Sequence, residues 1–265
     1  MNRNEKPIGI FDSGMGGITV VKLITELFPN ENIIYLGDTA NVPYGSKAPD
    51  EIEKLARHNA DFLTSFDVKE IVVACNTVDS TARSKIENSY AVPFVGIVKP
   101  TSKQAALSTV NNRIGLIATS ATVNNGAYER AVKSFNENAK VYSVACPQLV
   151  PLAESGRFSI DDKEAYKIVE NYLNPLKEKD IDTLILGCTH YPLFSDIISE
   201  IMPNVKQISS SRAAANALKE ELTKNNLENH SDGKPSLKFY VTKNPEDFEK
   251  QARICLGKDI SIELA

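Results

Sequence analysis

Cysteine is scarce in this chain of 265 residues, and its four copies, Cys75, Cys146, Cys188 and Cys255, stand far apart. No CxxC pair occurs, so a disulfide frame is not expected in a reducing compartment and a structural zinc site has little support. No apolar run approaches a membrane span, and the opening MNRNEKP (Met1–Pro7) has no apolar signal core. The expected location is the cytoplasm, with no membrane partner. A large excess of either charge is also missing. The net charge is −4 with acids and bases interspersed, which argues against a nucleic-acid partner and against an anionic membrane surface. There is no low-complexity tract, and the polar stretch Lys224–Pro235 reads as a surface loop.

What is present is alternation. Short β-like runs alternate with amphipathic segments from end to end, the pattern of an α/β protein with mostly parallel sheets flanked by helices. The predicted strands are Ile8–Asp12, Ile33–Gly37, Glu70–Cys75, Phe94–Ile97, Arg113–Ala118, Val141–Ala145, Thr183–Cys188, Val205–Ile208, Lys238–Thr242 and Ile260–Glu263. Asp50–Ser65 reads as a helix, with Pro49 suited to its first turn and Asp50 and Glu51 to its positive end. The halves resemble each other. IGIFDSG (Ile8–Gly14) matches IGLIATS (Ile114–Ser120), and Cys75 matches Cys188 at a similar separation. Two related lobes are therefore expected, with the first crossover near Lys99–Pro100.

Four stretches can carry chemistry. FDSGMGGITV (Phe11–Val20) is a strand, a glycine-rich turn and a helix start. Its backbone N–H groups form a natural anion seat, and Asp12 falls at the sheet edge where ligands bind in open α/β folds. Gly14, Gly16 and Gly17 read as turn geometry, and Asp12 has a plain alternative as a helix cap. GDTANVPYGSKAP (Gly37–Pro49) is a loop at the same edge, where Tyr44 and Gly45 can offer a hydroxyl and backbone amides to a carboxylate, or form only a packed turn. ACNT (Ala74–Thr77) and GCTHYP (Gly187–Pro192) each place a cysteine after a buried strand.

A lone free cysteine is usually a small buried hydrophobe. Two in matching positions, each facing a helix start, read instead as reactive thiols on either side of a small substrate. Asn76, Thr77 and Thr189 add donors, and His190 lies two residues past Cys188. His58 and His230 read as surface or packing residues, Cys255 as core, and Cys146 as a residue near the cleft without a donor-rich tail. Glu154 is either a solvated helix end or a carboxylate near the site.

Two thiols flanking an anion suggest proton transfer on opposite faces of one carbon. Removing an α-proton from an amino acid leaves a poorly stabilised carbanion, for which an aldehyde cofactor is the usual electron sink. No lysine here sits in a setting that marks a Schiff base. The protein would then rely on a positioned acid, a positioned base and oriented donors. Cysteine suits this, with a free pKa of about 8.5 that neighbours can move; Asp12 or His190 can help move protons to and from the sulfurs.

Together FDSGMGG, GDTANVPYG, ACNT, IGLIATSATV (Ile114–Val123), ACPQLVPLAE (Ala145–Glu154) and LGCTHYPL resemble, in order and spacing, the glutamate racemases of the cofactor-independent aspartate/glutamate racemase superfamily. The resemblance spans nearly the whole chain. It implies an isomerase interconverting L- and D-glutamate to supply D-glutamate for peptidoglycan, and so for cell-wall biogenesis and cell shape. It implies two similar α/β lobes, residues 1–99 plus 209–265 and residues 100–208, with the active site in the cleft. It further implies no cofactor, no metal and a homodimer. Carried onto matching positions, Cys75 and Cys188 are the catalytic acid/bases, with Asp12 and His190 their assistants. Asp12, Ser13, Tyr44, Gly45, Asn76, Thr77, Thr189 and His190 form the substrate shell, and Glu154 supports Cys188.

Three positions depart from the pattern. Asn41 stands where the family commonly has Arg, and Val78 and Asp79 stand where small residues are usual. If Asp79 approaches Cys75, its charge opposes thiolate formation there. The chain starts only a few residues before its first strand, so the N-terminal extension that links some relatives to activation by a cell-wall precursor is expected to be missing. The competing readings are a racemase for aspartate or a related acid, which sequence separates poorly over one methylene, a non-catalytic anion-binding relative, and a metal site built from Cys75, Cys188, His190 and Asp12.

Overall fold

Uninterrupted apolar runs such as IGIFD bury both faces of a strand, which a parallel sheet covered by helices on both sides requires. The protein, described here from a computed structural model covering residues 2–231, 233–257 and 260–265, follows that rule. The strands are β1 (Ile8–Asp12), β2 (Ile33–Gly37), β3 (Glu70–Val73), β4 (Phe94–Val95), β5 (Arg113–Ala118), β6 (Lys140–Ala145), β7 (Thr183–Gly187), β8 (Lys206–Ser209), β9 (Leu237–Val241) and β10 (Ile262–Leu264). They form a six-stranded sheet, β10-β9-β2-β1-β3-β4, and a four-stranded sheet, β6-β5-β7-β8. Every neighbouring pair is parallel.

The order β2-β1-β3-β4 is repeated as β6-β5-β7-β8, so the two lobes share one topology. In each, the chain crosses the first strand between its second and third. The resulting switch point lies beside β1 and β3 in one sheet and β5 and β7 in the other, where open α/β sheets bind ligands. Cys75 and Cys188 each follow the third strand of their unit.

The helices are α1 (Ile18–Leu27), α2 (Pro49–Thr64), α3 (Asn76–Thr81), α4 (Arg83–Ile86), α5 (Val98–Ser108), α6 (Ser120–Asn125), α7 (Ala127–Phe135), α8 (Leu149–Glu154), α9 (Lys163–Lys177), α10 (Ser195–Ile201), α11 (Ser210–Lys224) and α12 (Pro245–Leu256). α2 buries Ile52, Ala56, Ala60 and Leu63 at helical spacing, with Pro49 in its first turn. α5 carries the chain from the first sheet to the second, and α11 carries it back. With α1 they lie in one apolar cluster that joins Ile8, Ile10 and Val72 of the first sheet to Ile114, Leu116 and Ile185 of the second. Each lobe has a separate cluster on its other face. Among the described residues no helix is long and apolar enough to cross a membrane.

Four segments differ most from the sequence reading. β3 and β7 stop before Cys75 and Cys188, which turn toward the following residues instead of extending the ladder. The run Phe94–Ile97 shortens to two residues because the N–H groups of Ile97 and Val98 donate to Asp79 Oδ2, both at 2.6 Å, which starts a helix instead. The stretch Lys224–Pro235, whose Asp232 lies outside the described residues, is no simple surface loop. Leu227 and Asn229 are buried, held by a fully buried ion pair. Lys69 Nζ meets Glu31 Oε2 at 2.6 Å and donates to the Leu227 carbonyl at 2.8 Å, while Asn229 N–H donates to Glu31 Oε1 at 2.8 Å. A buried pair persists only when its remaining bonding capacity is met, and this loop meets it.

Candidate active site

Cys75 is the cap residue before α3, and its Sγ lies 3.7 Å from Ser13 Oγ. Ser13 follows Asp12 at the end of β1, so the first cysteine and the first carboxylate share one sheet edge. Cys188 follows β7, with its Sγ 3.7 Å from His190 Nδ1. The other ring nitrogen, Nε2, stands 2.6 Å from Glu154 Oε1. Glu154 is thus not the solvated helix end that the sequence allowed. The lobes meet at Asp12, whose Oδ2 accepts from Gly17 N–H at 2.7 Å and from Thr189 Oγ1 at 3.3 Å. Asp12 Oδ1 is buried without a partner. Both cysteines, Asp12, Ser13, Tyr44, Asn76, Thr77, Thr189 and His190 are all buried.

The two cysteines have different charged neighbours. Burial pushes the Cys75 thiol up, reinforced by the charges of Asp12 and Cys188 and opposed by the Val78 N–H and Ser13. Burial also raises Asp12, although the charge of His190 and two backbone N–H groups favour its ionised form. Burial alone would lower His190, but its bonds to Cys188 and Glu154 overcome that and hold the imidazole well above its usual range. Burial works to raise Glu154; the His190 bond and charge, with Met15 N–H, instead hold it below the ordinary carboxylate range. The second cysteine therefore faces an imidazolium, and the first sits in anionic company.

Several sequence expectations change in detail. The N–H groups of the glycine-rich turn do not form an open anion seat, because Met15 N–H donates to Glu154 Oε1 at 3.2 Å and Gly17 N–H to Asp12. Its glycines are required for space, not dihedral freedom: none of the three has positive φ. A Cβ at Gly16 would fall 2.4 Å from Thr189 Oγ1 and 2.6 Å from His190 Nδ1. The Tyr44 hydroxyl is committed to donating to Asp38 Oδ2 while accepting from Asn59 Nδ2 at 3.1 Å. Asn41, at a departing position, donates to both Asp38 oxygens at 3.0 Å and so helps fix this loop. Gly45 touches the other lobe, where a Cβ would meet Thr119 Cβ at 2.5 Å. Asp79 turns to α5 and Arg83. Cys146 is buried in the apolar cluster that contains Cys188, Cys255 is only partly buried, and His58 and His230 are exposed.

Sequence reading missed several polar partners of the site residues. Thr119 Oγ1 lies 2.9 Å from Thr77 Oγ1 and 3.0 Å from Thr122 Oγ1. Ser210 Oγ accepts from Asn76 Nδ2 at 3.2 Å, while Tyr128 donates to Asn76 Oδ1 at 2.5 Å. Ser211 Oγ lies 2.7 Å from Thr19 Oγ1. A signal existed for Thr119, since it occupies in IGLIATS the sheet-edge place that Ser13 occupies in IGIFDSG. Ser210, Ser211 and Tyr128 lie on helices whose orientation only the tertiary structure fixes. Among the described residues no group of three or more His, Cys, Asp or Glu side chains is arranged to hold a metal ion.

A repeated parallel α/β unit with a cysteine after each third strand defines the class. Residues 14–218 match the model of the Asp/Glu/Hydantoin racemase family, to which the chain belongs. It is 41% identical to a glutamate racemase of Thermoanaerobacter pseudethanolicus, over 97% of this chain and 96% of that one. It is also similar to the glutamate racemase of Francisella tularensis solved in complex with D-glutamate, at 36% identity, a TM-score of 0.92 and coverage of 99% and 98% of the two chains. The RacE1 isoform of glutamate racemase from Bacillus anthracis superposes with a TM-score of 0.94 at 33% identity, over the same shares.

Proposed function

We propose that this protein interconverts L- and D-glutamate by two-base proton transfer at Cα, with Cys75 and Cys188 as the acid/base pair. The observation that carries the reading is the placement of one thiol at the same point of each repeated unit, with Asp12, Thr189 and His190 joining the two. Glutamate as substrate is supported by the full-length similarity to glutamate racemases and by the related structure that holds D-glutamate.

In one direction the Cys188 thiolate, facing the His190 imidazolium, takes the Cα proton while the Cys75 thiol gives a proton to the opposite face. The C–H bond's electrons pass into the substrate carboxylate system and return to the new C–H bond. Turnover leaves the sulfurs in exchanged states, and the reverse reaction uses them in that order. Glu154 keeps His190 oriented and protonated, and Asp12 serves Cys75. Ser13, Asn76, Thr77, Thr189, the Tyr44–Gly45 backbone and the missed Thr119 hydroxyl supply donors for the two carboxylates, exchanging their present mutual bonds for bonds to substrate. Both transfers run through side chains alone.

On this reading the lobes are residues 1–99 with 209–265, and 100–208; the six-stranded sheet draws on both ends of the chain and the four-stranded sheet on its middle. The protein works in the cytoplasm as a homodimer and supplies D-glutamate to peptidoglycan. Turnover of both enantiomers of glutamate and aspartate by Cys75→Ala and Cys188→Ala tests the core of this. Each variant is expected to keep its fold and lose racemisation by at least about a thousandfold, as the loss of an essential acid or base does. Near-normal turnover in either removes that thiol from the mechanism, and faster turnover of aspartate by the unaltered protein reassigns the substrate.

A further inference from the structure

Asp79 departs from the small residue expected after the first cysteine motif, and its surroundings show what it does. Its side chain is almost fully buried. Oδ2 accepts from Ile97 N–H and Val98 N–H, both at 2.6 Å, and so caps the first turn of α5. Oδ1 accepts from Arg83 Nε, and Arg83 Nη1 is in turn paired with Glu87. Gly96 makes room: a Cβ there would stand 2.4 Å from Asp79 Oδ1 and 2.5 Å from Arg83 Nε. One helical turn back, Asp79 N–H donates to the Cys75 carbonyl at 2.9 Å.

The same short helix, α3, holds Asn76, which pairs with Ser210 at the start of α11 and with Tyr128 of the other lobe, and Thr77, which pairs with Thr119 across the cleft. α5 is the first covalent link between the sheets. Cys75, the cross-cleft groups Asn76 and Thr77, and the carboxylate that caps the start of that link therefore stand within five residues of chain. From this geometry we propose that Asp79, locked by Arg83, is a positioning residue that holds Cys75 in register with the crossover between the lobes. The proposal rests on the two-thiol reading above. A shift of about 1 Å in a reacting group is enough to cost on the order of a hundredfold in rate, so a clamp one turn from a sulfur acts on catalysis without touching substrate.

The test compares Asp79→Ala and Asp79→Asn in deuterium oxide, following inversion and Cα deuterium uptake together from each pure enantiomer. In Asp79→Ala, kcat is expected to fall at least about tenfold with KM within about twofold. The ratio of exchange to inversion should rise for the one enantiomer that Cys188 deprotonates, because the displaced Cys75 no longer delivers the second proton. Asp79→Asn, which retains an acceptor for the two N–H groups, should recover most of kcat. Wild-type kcat and ratio in folded Asp79→Ala would overturn the proposal. So would a lowered melting temperature with an unchanged ratio, since that is a purely structural role. If Asp79→Ala does not fold, Gly96→Ala, which crowds the same carboxylate, must raise the ratio or the proposal fails. Absence of both exchange and inversion in the unaltered protein would instead bring down the racemase reading beneath it.

Discussion

Two buried titrating residues shape the response of the protein to pH. Glu70, at the start of β3, is raised from the usual 4.5 to about 7 by burial first and then by the charge of Glu221, against the milder pull of Arg3 and Lys69. Folding thus favours its protonated form, so the unfolded chain holds fewer protons between these values, and stability is present at low pH and lost as pH rises through that window. The full span amounts to about 3 kcal/mol. Thermal melts of Glu70→Gln should lack this decline and exceed the unaltered protein above neutral pH; parallel curves would refute the assignment. His190 is shifted in the same direction, since its bonds to Cys188 and Glu154 keep the ring charged past its ordinary range, and there the consequence falls on the reaction. Removing the carboxylate in Glu154→Gln should move the alkaline limb of kcat to lower pH. A pH profile superposable on that of the unaltered protein would show that Glu154 does not set the charge of His190.

At the scale of elements, close approach decides function. α1 and the turn before it pass so near Thr189 and His190 that Gly16 has no room for a methyl group. Gly16→Ala should push His190 away from Cys188 and cut kcat by about a hundredfold while the melting temperature changes little. Gly45→Ala should hold the loop away from Thr119, raising KM more than it lowers kcat. Steady-state kinetics separates the two. The strand pattern was legible because fully buried parallel strands are written as continuous apolar runs. The cysteines, Asp12 and His190 were legible because motif and strand end coincide. The end of β4 was not, since the Asp79 carboxylate takes the N–H groups of Ile97 and Val98 and starts a helix there. Nor were Ser210, Ser211 and Tyr128, because a helix pattern records which face is buried but not which lobe covers it. The close fit at Gly16 was hidden too, since a sequence shows a glycine without showing what approaches it.

At the scale of the molecule, one β-α unit used twice places equivalent strand ends opposite each other, and α5 and α11 bind both sheets into a common core. The catalytic claim needs both halves, because each supplies one sulfur and neither alone can invert a carbon. It also needs the lobes to part, since the site residues are buried while they pair with one another. The most direct measurement is early-time NMR of L-glutamate in deuterium oxide with the unaltered enzyme. The account predicts that D-glutamate appears carrying deuterium at Cα while the remaining L-glutamate stays largely protiated, the mark of two separate proton carriers. Deuterium accumulating equally in both enantiomers from the first turnover would point to a single shared base and contradict it.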